Sequence, residues 1–304
     1  MHLPFRLLAC SFLVTALAHA GLTEQQKQVP LEVDAPDASL AKIVLLAGAV
    51  SNKPGQHEYF AGCSLLMKCL KQTPGVWPVM AAEGWPNNEK ILEGAKSIVV
   101  FMDAGEKLPW LDEARWSKIR QAMQSGTGLV AMHQAVEVPA NRAEEFKSWL
   151  GAVWQKDIGC RGHWDMSLKP ASPHPTLGGV SAFDAPKDGW LYNLHFASQG
   201  VTPLLVGLVP EKNRTSSDAK AHPGRDEVIA WAYERPDGAR SVGFTGADLH
   251  SSWKIESQRR FIVNSILWTA KVSAPASIAV DEADFTANMD RKTLGMVKKD
   301  KAGK

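Results

Sequence analysis

GTGLVAMHQAVEVP, the stretch from Gly126 to Pro139, reads as the end of one element and the whole of the next. Gly126-Thr127-Gly128 stops a preceding helix, and Leu129 to Met132 has the length of a short strand buried on both faces. His133 then falls where a parallel strand delivers its last side chain. Open α/β sheets take ligands in the crevice beyond the carboxyl ends of their strands, so a polar residue directly after such a run is a candidate for chemistry. A histidine that only closes a strand with a hydrogen bond looks the same in sequence.

Outward from this strand the chain alternates. Lys42 to Ala49 (KIVLLAGA) is a second apolar run, followed by a loop through His57 and Glu58 and a helix over Phe60 to Leu70. Val76 to Ala81 is a strand, Asn88 to Gly94 a short helix, and Ser97 to Met102 a strand that delivers Asp103. Leu111 to Ser125 and residues 141–151 are amphipathic helices. The alternation predicts right-handed crossovers and a parallel sheet covered on both faces. It places the Ala49 to Glu58 loop, Asp103 and His133 at one edge. After residue 150, short apolar runs separated by Gly- and Pro-rich loops predict further strands, some antiparallel. Lys212 to Asp226 reads as a mobile polar loop, and Glu256 to Ala270 as the last packed helix.

The chain begins with Arg6, an apolar run from Leu7 to Ala18 and Ala18-His19-Ala20, the pattern of a secretory signal over residues 1–20. Residues 21–40 read as an irregular lead-in, 41–275 as one α/β domain, and 276–304, lysine-rich and poor in apolar residues, as a frayed tail. The expected location is therefore secreted or periplasmic. A formal charge of +2 with dispersed Lys and Arg gives no sign of a nucleic-acid or anionic-membrane surface, so no nucleic-acid partner is expected, and the leading apolar run is short for a membrane span. Cys63, Cys69 and Cys160 have no CxxC spacing and read as buried free thiols, with a bridge from Cys160 to one of the others left open. Eleven tryptophans, among them Trp85, Trp110, Trp164, Trp190 and Trp253 beside polar or turn residues, tilt towards a carbohydrate partner.

Together GLVAMHQAVEVP, HEYFAGC, Gly84-Trp85-Pro86, Gly162-His163-Trp164, His174-Pro175 and GFTGADLHSSW resemble the ThuA-like (trehalose utilisation) family over about residues 41–275. The resemblance implies a flavodoxin-like, class I glutamine amidotransferase-like three-layer sandwich, with a mostly parallel sheet and extra antiparallel strands. Amidotransferases carry a nucleophilic Cys in the turn after a central strand. His133 holds that place here, so amidotransferase chemistry is not expected. The resemblance implies sugar catabolism on keto-sugars or their glycosides. Asp103-Ala104-Gly105-Glu106, Asp188-Gly189-Trp190-Leu191 and the lone Asp248 before His250 depart from the family's usual runs.

Candidate catalytic residues are His133, Glu137 and Asp103. Candidate substrate-binding residues are His57, Glu58, Trp85, His163, Trp164 and His250. Two mechanisms stay open. A divalent metal, zinc first, held by some of His57, His133, His163 and His250 would polarise a carbonyl or activate water. Alternatively, His133 with Glu137 or Asp103 would move a proton beside a keto group or assist glycoside cleavage. A non-catalytic carbohydrate-binding or sensory module is the reading from a different class. His174 reads as a turn residue and His195 as a satisfied polar group near the core.

Overall fold

The computed structural model describes residues 21–273 and 277–295; the expected signal, residues 1–20, lies outside them. Five strands form the parallel half of a nine-stranded sheet: β1 (Ala41–Ala47), β2 (Val76–Ala81), β3 (Ser97–Phe101), β4 (Gly128–Met132) and, much later in the chain, β11 (Arg240–Phe244). The remaining strands are β5 (Ala152–Val153), β6 (Cys160–Pro170), β7 (Phe183–Tyr192), β8 (His195–Phe196), β9 (Val201–Leu208) and β10 (Asp226–Glu234). The sheet order is β2-β1-β3-β4-β11-β10-β9-β6-β7, and β5 pairs separately with β8. The first five strands are mutually parallel, while β10, β9, β6 and β7 continue the sheet through antiparallel pairings. The parallel half has the flavodoxin-like order, whose chain direction switches between β1 and β3.

Period-two alternation builds two cores from each buried strand. Ile43, Leu45, Val99, Phe101, Val130 and Met132 face one side, where they meet α1 (Tyr59–Leu70) and α5 (Glu256–Thr269). Val44, Leu46, Ile98, Val100, Leu129 and Ala131 face the other, where they meet α2 (Glu113–Gln124) and α3 (Ala140–Leu150). Each such aliphatic side chain, fully withdrawn from water, contributes roughly 1.5–3 kcal/mol. Asp112 caps α2 through the Arg115 amide, and α3 stops at Gly151, whose φ of 83° is left-handed. The result is the expected three-layer sandwich.

Several segments depart from their sequence reading. Residues 212–226 are not a bare loop: they include α4 (Ser217–Lys220) and the fully buried Arg214, which donates to Glu227 at 2.5 Å and to the Arg225 carbonyl at 2.6 Å. A guanidinium can be buried there because acceptors meet its donors. The expected frayed tail is packed over residues 277–295. Phe285 and Asp290 are buried, and Lys68 pairs with Asp281 and Asp284. Lys292, the lysine of this described stretch, meets specific acceptors, the Ser51 and Gln56 carbonyls. The lead-in protects the outer edge of the sheet, since the Glu32 amide donates to the Met80 carbonyl of β2. His195 is a satisfied polar group, half-buried and 2.9 Å from Asp157. The three cysteines are free and buried.

Candidate metal centre

The switch-point edge gathers three loops. The loop after β1 carries His57, the residue after β4 is His133, and the turn after β11 runs through Thr245 to Asp248. His57, His133 and the neighbouring Ala247 all adopt left-handed backbone, with φ of 49°, 54° and 72°. Such conformations cost non-glycine residues about 1–3 kcal/mol and collect at functional sites. At His133 the turn breaks the strand's alternation and aims the ring across the sheet edge. A short backbone link fixes two of the loops together, because the His57 amide donates to the Asp248 carbonyl at 3.0 Å.

His133 Nε2 lies 3.2 Å from His57 Nε2, His57 Nε2 lies 3.0 Å from Asp248 Oδ1, and His133 Nε2 lies 3.5 Å from the same oxygen. The other ring nitrogens settle the tautomers. His133 Nδ1 is 3.1 Å from the Thr245 carbonyl oxygen, an acceptor only, so Nδ1 bears the hydrogen. His57 Nδ1 is 2.8 Å from Asp103 Oδ1, which also accepts from the Tyr59 hydroxyl at 2.7 Å. A cation in place of any Nε2 proton would meet both Nε2 lone pairs and Asp248 Oδ1, a buried carboxylate oxygen without a hydrogen-bond partner, on one point. Asn52 Nδ2, 3.2 Å from His57 Nε2, is a competing donor for one of the three.

The electrostatics follow from burial against carboxylates. Burial opposes a proton on His57, but the Asp103 and Asp248 carboxylates outweigh it and raise its pKa. Burial holds His133 down to about 4, with the His57 charge adding to the effect against Asp248. Burial raises Asp248, yet the surrounding imidazoles keep it at about 2, so it stays ionised. Its outer oxygen, Oδ2, faces His163 Nε2 at 2.6 Å and accepts from the Gln56 side-chain amide at 3.1 Å.

These three inner atoms fit a metal. Zinc held tetrahedrally at 2.0–2.1 Å puts neighbouring ligand atoms about 3.3–3.4 Å apart, against the 3.0, 3.2 and 3.5 Å found here. Carboxylate and carbonyl partners on the second nitrogens of the imidazoles are the usual outer support of metal-binding histidines. Among the described residues, the group with ligand spacing is His57, His133 and Asp248.

The sequence-derived site is thus partly assembled and partly dispersed. His57, His133, Asp103 and His163 come together. His163 reaches the centre only through Asp248, so it does not join the ligand set. His250 does not join it either: it is buried with both ring nitrogens unpartnered, and burial lowers its pKa against the nearby Glu58. Glu58 is buried and accepts from the Asp290 amide at 2.7 Å, which closes it to substrate. Glu137 faces Arg161, with Nη1 to Oε2 at 3.2 Å, and burial raises its pKa. Its side chain makes no hydrogen bond or ion pair with His133. Trp85 is buried with its indole N–H on Glu89, and Trp164 is buried edge-on to Tyr192, so neither offers a stacking face. Trp110, Trp190 and Trp253 are core residues too, which removes the tryptophan argument for a sugar. Asp248, Tyr59 and Gln56 were missed. Asp248 follows the strand-ending Thr245-Gly246, a position of the same kind as His133, and that was the available signal.

A cleft of about 540 Å³ lined by Lys96, Lys118, Thr127 and Lys271 opens at the opposite edge, by the amino ends of β3 and β4. It shares no residue with the cluster. No described helix is long and apolar enough to cross a membrane.

A family model described as ThuA, trehalose utilisation, matches residues 49–269. No curated protein matches the chain. Among solved structures, a ThuA-like protein from Bacteroides uniformis aligns at 16% identity and TM-score 0.56, over 77% of this chain and 93% of its own. One from Parabacteroides merdae aligns at 14% identity and TM-score 0.55, over 84% and 98%. At these identities the likeness is one of fold.

Proposed function

Because the chain belongs to the ThuA family, described as trehalose utilisation, we propose that it is an exported, metal-dependent enzyme of sugar catabolism acting on a keto-sugar or keto-glycoside. The observation that carries the metal is the ligand spacing of His57 Nε2, His133 Nε2 and the buried, unpartnered Asp248 Oδ1. Three protein ligands rather than four is the pattern of a catalytic zinc site with an open position, and zinc bound there supplies a Lewis acid for a sugar carbonyl.

The chain's own residues do the remaining work. Asp103 and the Thr245 carbonyl hold both imidazoles in the Nδ1–H form, with Nε2 turned inward. Gln56 and His163 hold the outer oxygen of Asp248 and so orient its inner one. His163, half exposed at the mouth with its imidazole against a carboxylate, is placed to move a proton beside the carbonyl. His133 is then a ligand and Asp103 its partner's support, rather than an acid/base pair. Thiol chemistry has no place at the end of β4, and burial pushes Cys69 up to about 11.

Zinc-loaded protein would be incubated with a panel of glucosides and their 3-keto forms, with and without chelator, and products followed by mass spectrometry. Turnover of a keto form that stops with chelator and returns with zinc is expected. The same products in both arms would remove the metal from the reading. Sugar affinity with no turnover anywhere would leave a binding module instead.

A further inference from the structure

The loop that carries His57 is held from two sides. On one, Gln56 bridges to Leu249, and the His250 amide donates to the Gly55 carbonyl at 2.9 Å. On the other lies the C-terminal segment, outside the stretch that carries the family match. Lys292 Nζ donates to the Gln56 carbonyl at 2.6 Å and also to the Ser51 carbonyl, closing the loop across its width. The Thr293 hydroxyl accepts from the Gly55 amide at 2.8 Å and donates to Glu58. Glu58 in turn accepts from the Asp290 amide. Lys292 is mostly buried, and its ammonium lies 3.5 Å from Asp290 and 3.7 Å from Glu58.

We propose that Lys292 and Thr293 are positioning residues of the metal centre, a C-terminal strap that holds the His57 loop in its left-handed turn. The inference rests on reading His57, His133 and Asp248 as metal ligands. A ligand at φ 49° stays there only while its surroundings over-determine the backbone. The strap supplies three hydrogen bonds to loop backbone atoms between Ser51 and Gln56. An ammonium suits this task because it offers three donors from one point. Without it, Ser51 and Gln56 lose a shared donor, and His57 Nε2 leaves the triangle.

The test uses the full chain with Lys292→Met, Thr293→Val, the double variant and Lys292→Arg. Zinc affinity would be read by competition with a chromogenic chelator, and amide exchange over residues 51–58 by mass spectrometry without metal. Circular dichroism serves as the control for folding. The double variant should bind zinc 10–100-fold more weakly, the loss typical of outer-sphere partners, and exchange faster at Gly55 and Gln56. Lys292→Arg should recover part of both. Thr293→Val alone, a one-atom change, keeps the test usable should the double variant fold poorly. Wild-type binding with unchanged affinity and exchange in the variants overturns the strap and leaves the metal reading standing. A wild type that binds no zinc overturns the metal reading and the strap's role in it, while the exchange data still show whether the strap holds the loop.

Discussion

A methyl group added at Gly189 would lie 2.7 Å from Asp248 Oδ2 and 2.8 Å from its Cβ, inside any real contact distance. Asp248 cannot yield easily, because the buried Asp188 carboxylate accepts from the Ala247 and Leu249 amides on either side of it. Gly189→Ala should therefore keep the fold and lower zinc affinity by roughly 10–100-fold, the range for disturbing support around a ligand. Isothermal titration checks this, and unchanged affinity would mean that Asp248 is not a ligand. The left-handed turn at His133 makes a separate prediction. His133→Ala and His133→Gly both delete the imidazole, but only glycine relieves the backbone. The glycine variant should be the more stable by about 1 kcal/mol in urea unfolding. Equal midpoints would show that the turn stores no strain. At this scale sequence could read His57, Asp103 and His133, because each follows a buried strand closely or sits in the loop after one. The roles of Glu58, Trp85 and Trp164 were unreadable, since burial depends on what packs above them.

Elements brought from far along the chain supply the rest of the site. That short apolar runs after residue 150 form strands was legible, yet the parallel place of β11 beside β4 was not, because nothing local distinguishes a parallel from an antiparallel neighbour at that length. That pairing alone puts Thr245 and Asp248 within reach of His133. The C-terminal strap has a pH signature of its own. Burial, then the Glu58 charge, raises Asp290 to about 6, against the help of Lys292 and Gln26. Its folded pKa exceeds the unfolded 3.8, so the folded state holds the extra proton between about pH 4 and 6. The contribution is complete below about pH 4 and lost as pH rises through about 6, on the order of 3 kcal/mol at most. Asp290→Asn, neutral throughout, should gain stability relative to wild type between pH 4 and pH 7.5. Parallel denaturation curves for the two proteins at both pH values would refute it.

For the molecule as a whole, the centre ties β1, β4 and β11 together, so metal and fold should be linked. Free zinc at 1,000 times its dissociation constant stabilises a folded protein by about 4 kcal/mol. At roughly 2–4 °C per kcal/mol for a large domain, the melting temperature should rise on the order of 10 °C. Asp248→Ala should show no such rise, and chelator should return wild type to the variant's behaviour in scanning calorimetry. A wild-type midpoint indifferent to zinc would contradict the centre. The same linkage accounts for why the histidines are poor local signals. Each is one ordinary residue in its own loop, and their meaning lies in a meeting that spans His57 to Asp248.

By itself the sequence determined the layers. Apolar runs of strand length, alternating with amphipathic helices, can bury their surface in few ways, and right-handed crossovers bring the strand ends with His57, Asp103 and His133 to one edge. Local patterning carries that information because the hydrophobic effect acts on every run where it stands. Only the tertiary structure decided which acid completes the cluster, that tryptophans such as Trp110, Trp190 and Trp253 fill the core, and that Lys292 and Thr293 form a strap. Those outcomes depend on distances of a few ångströms between residues as many as 200 or more positions apart, and hydrogen bonds and ligand geometry respond to such distances while sequence periodicity does not.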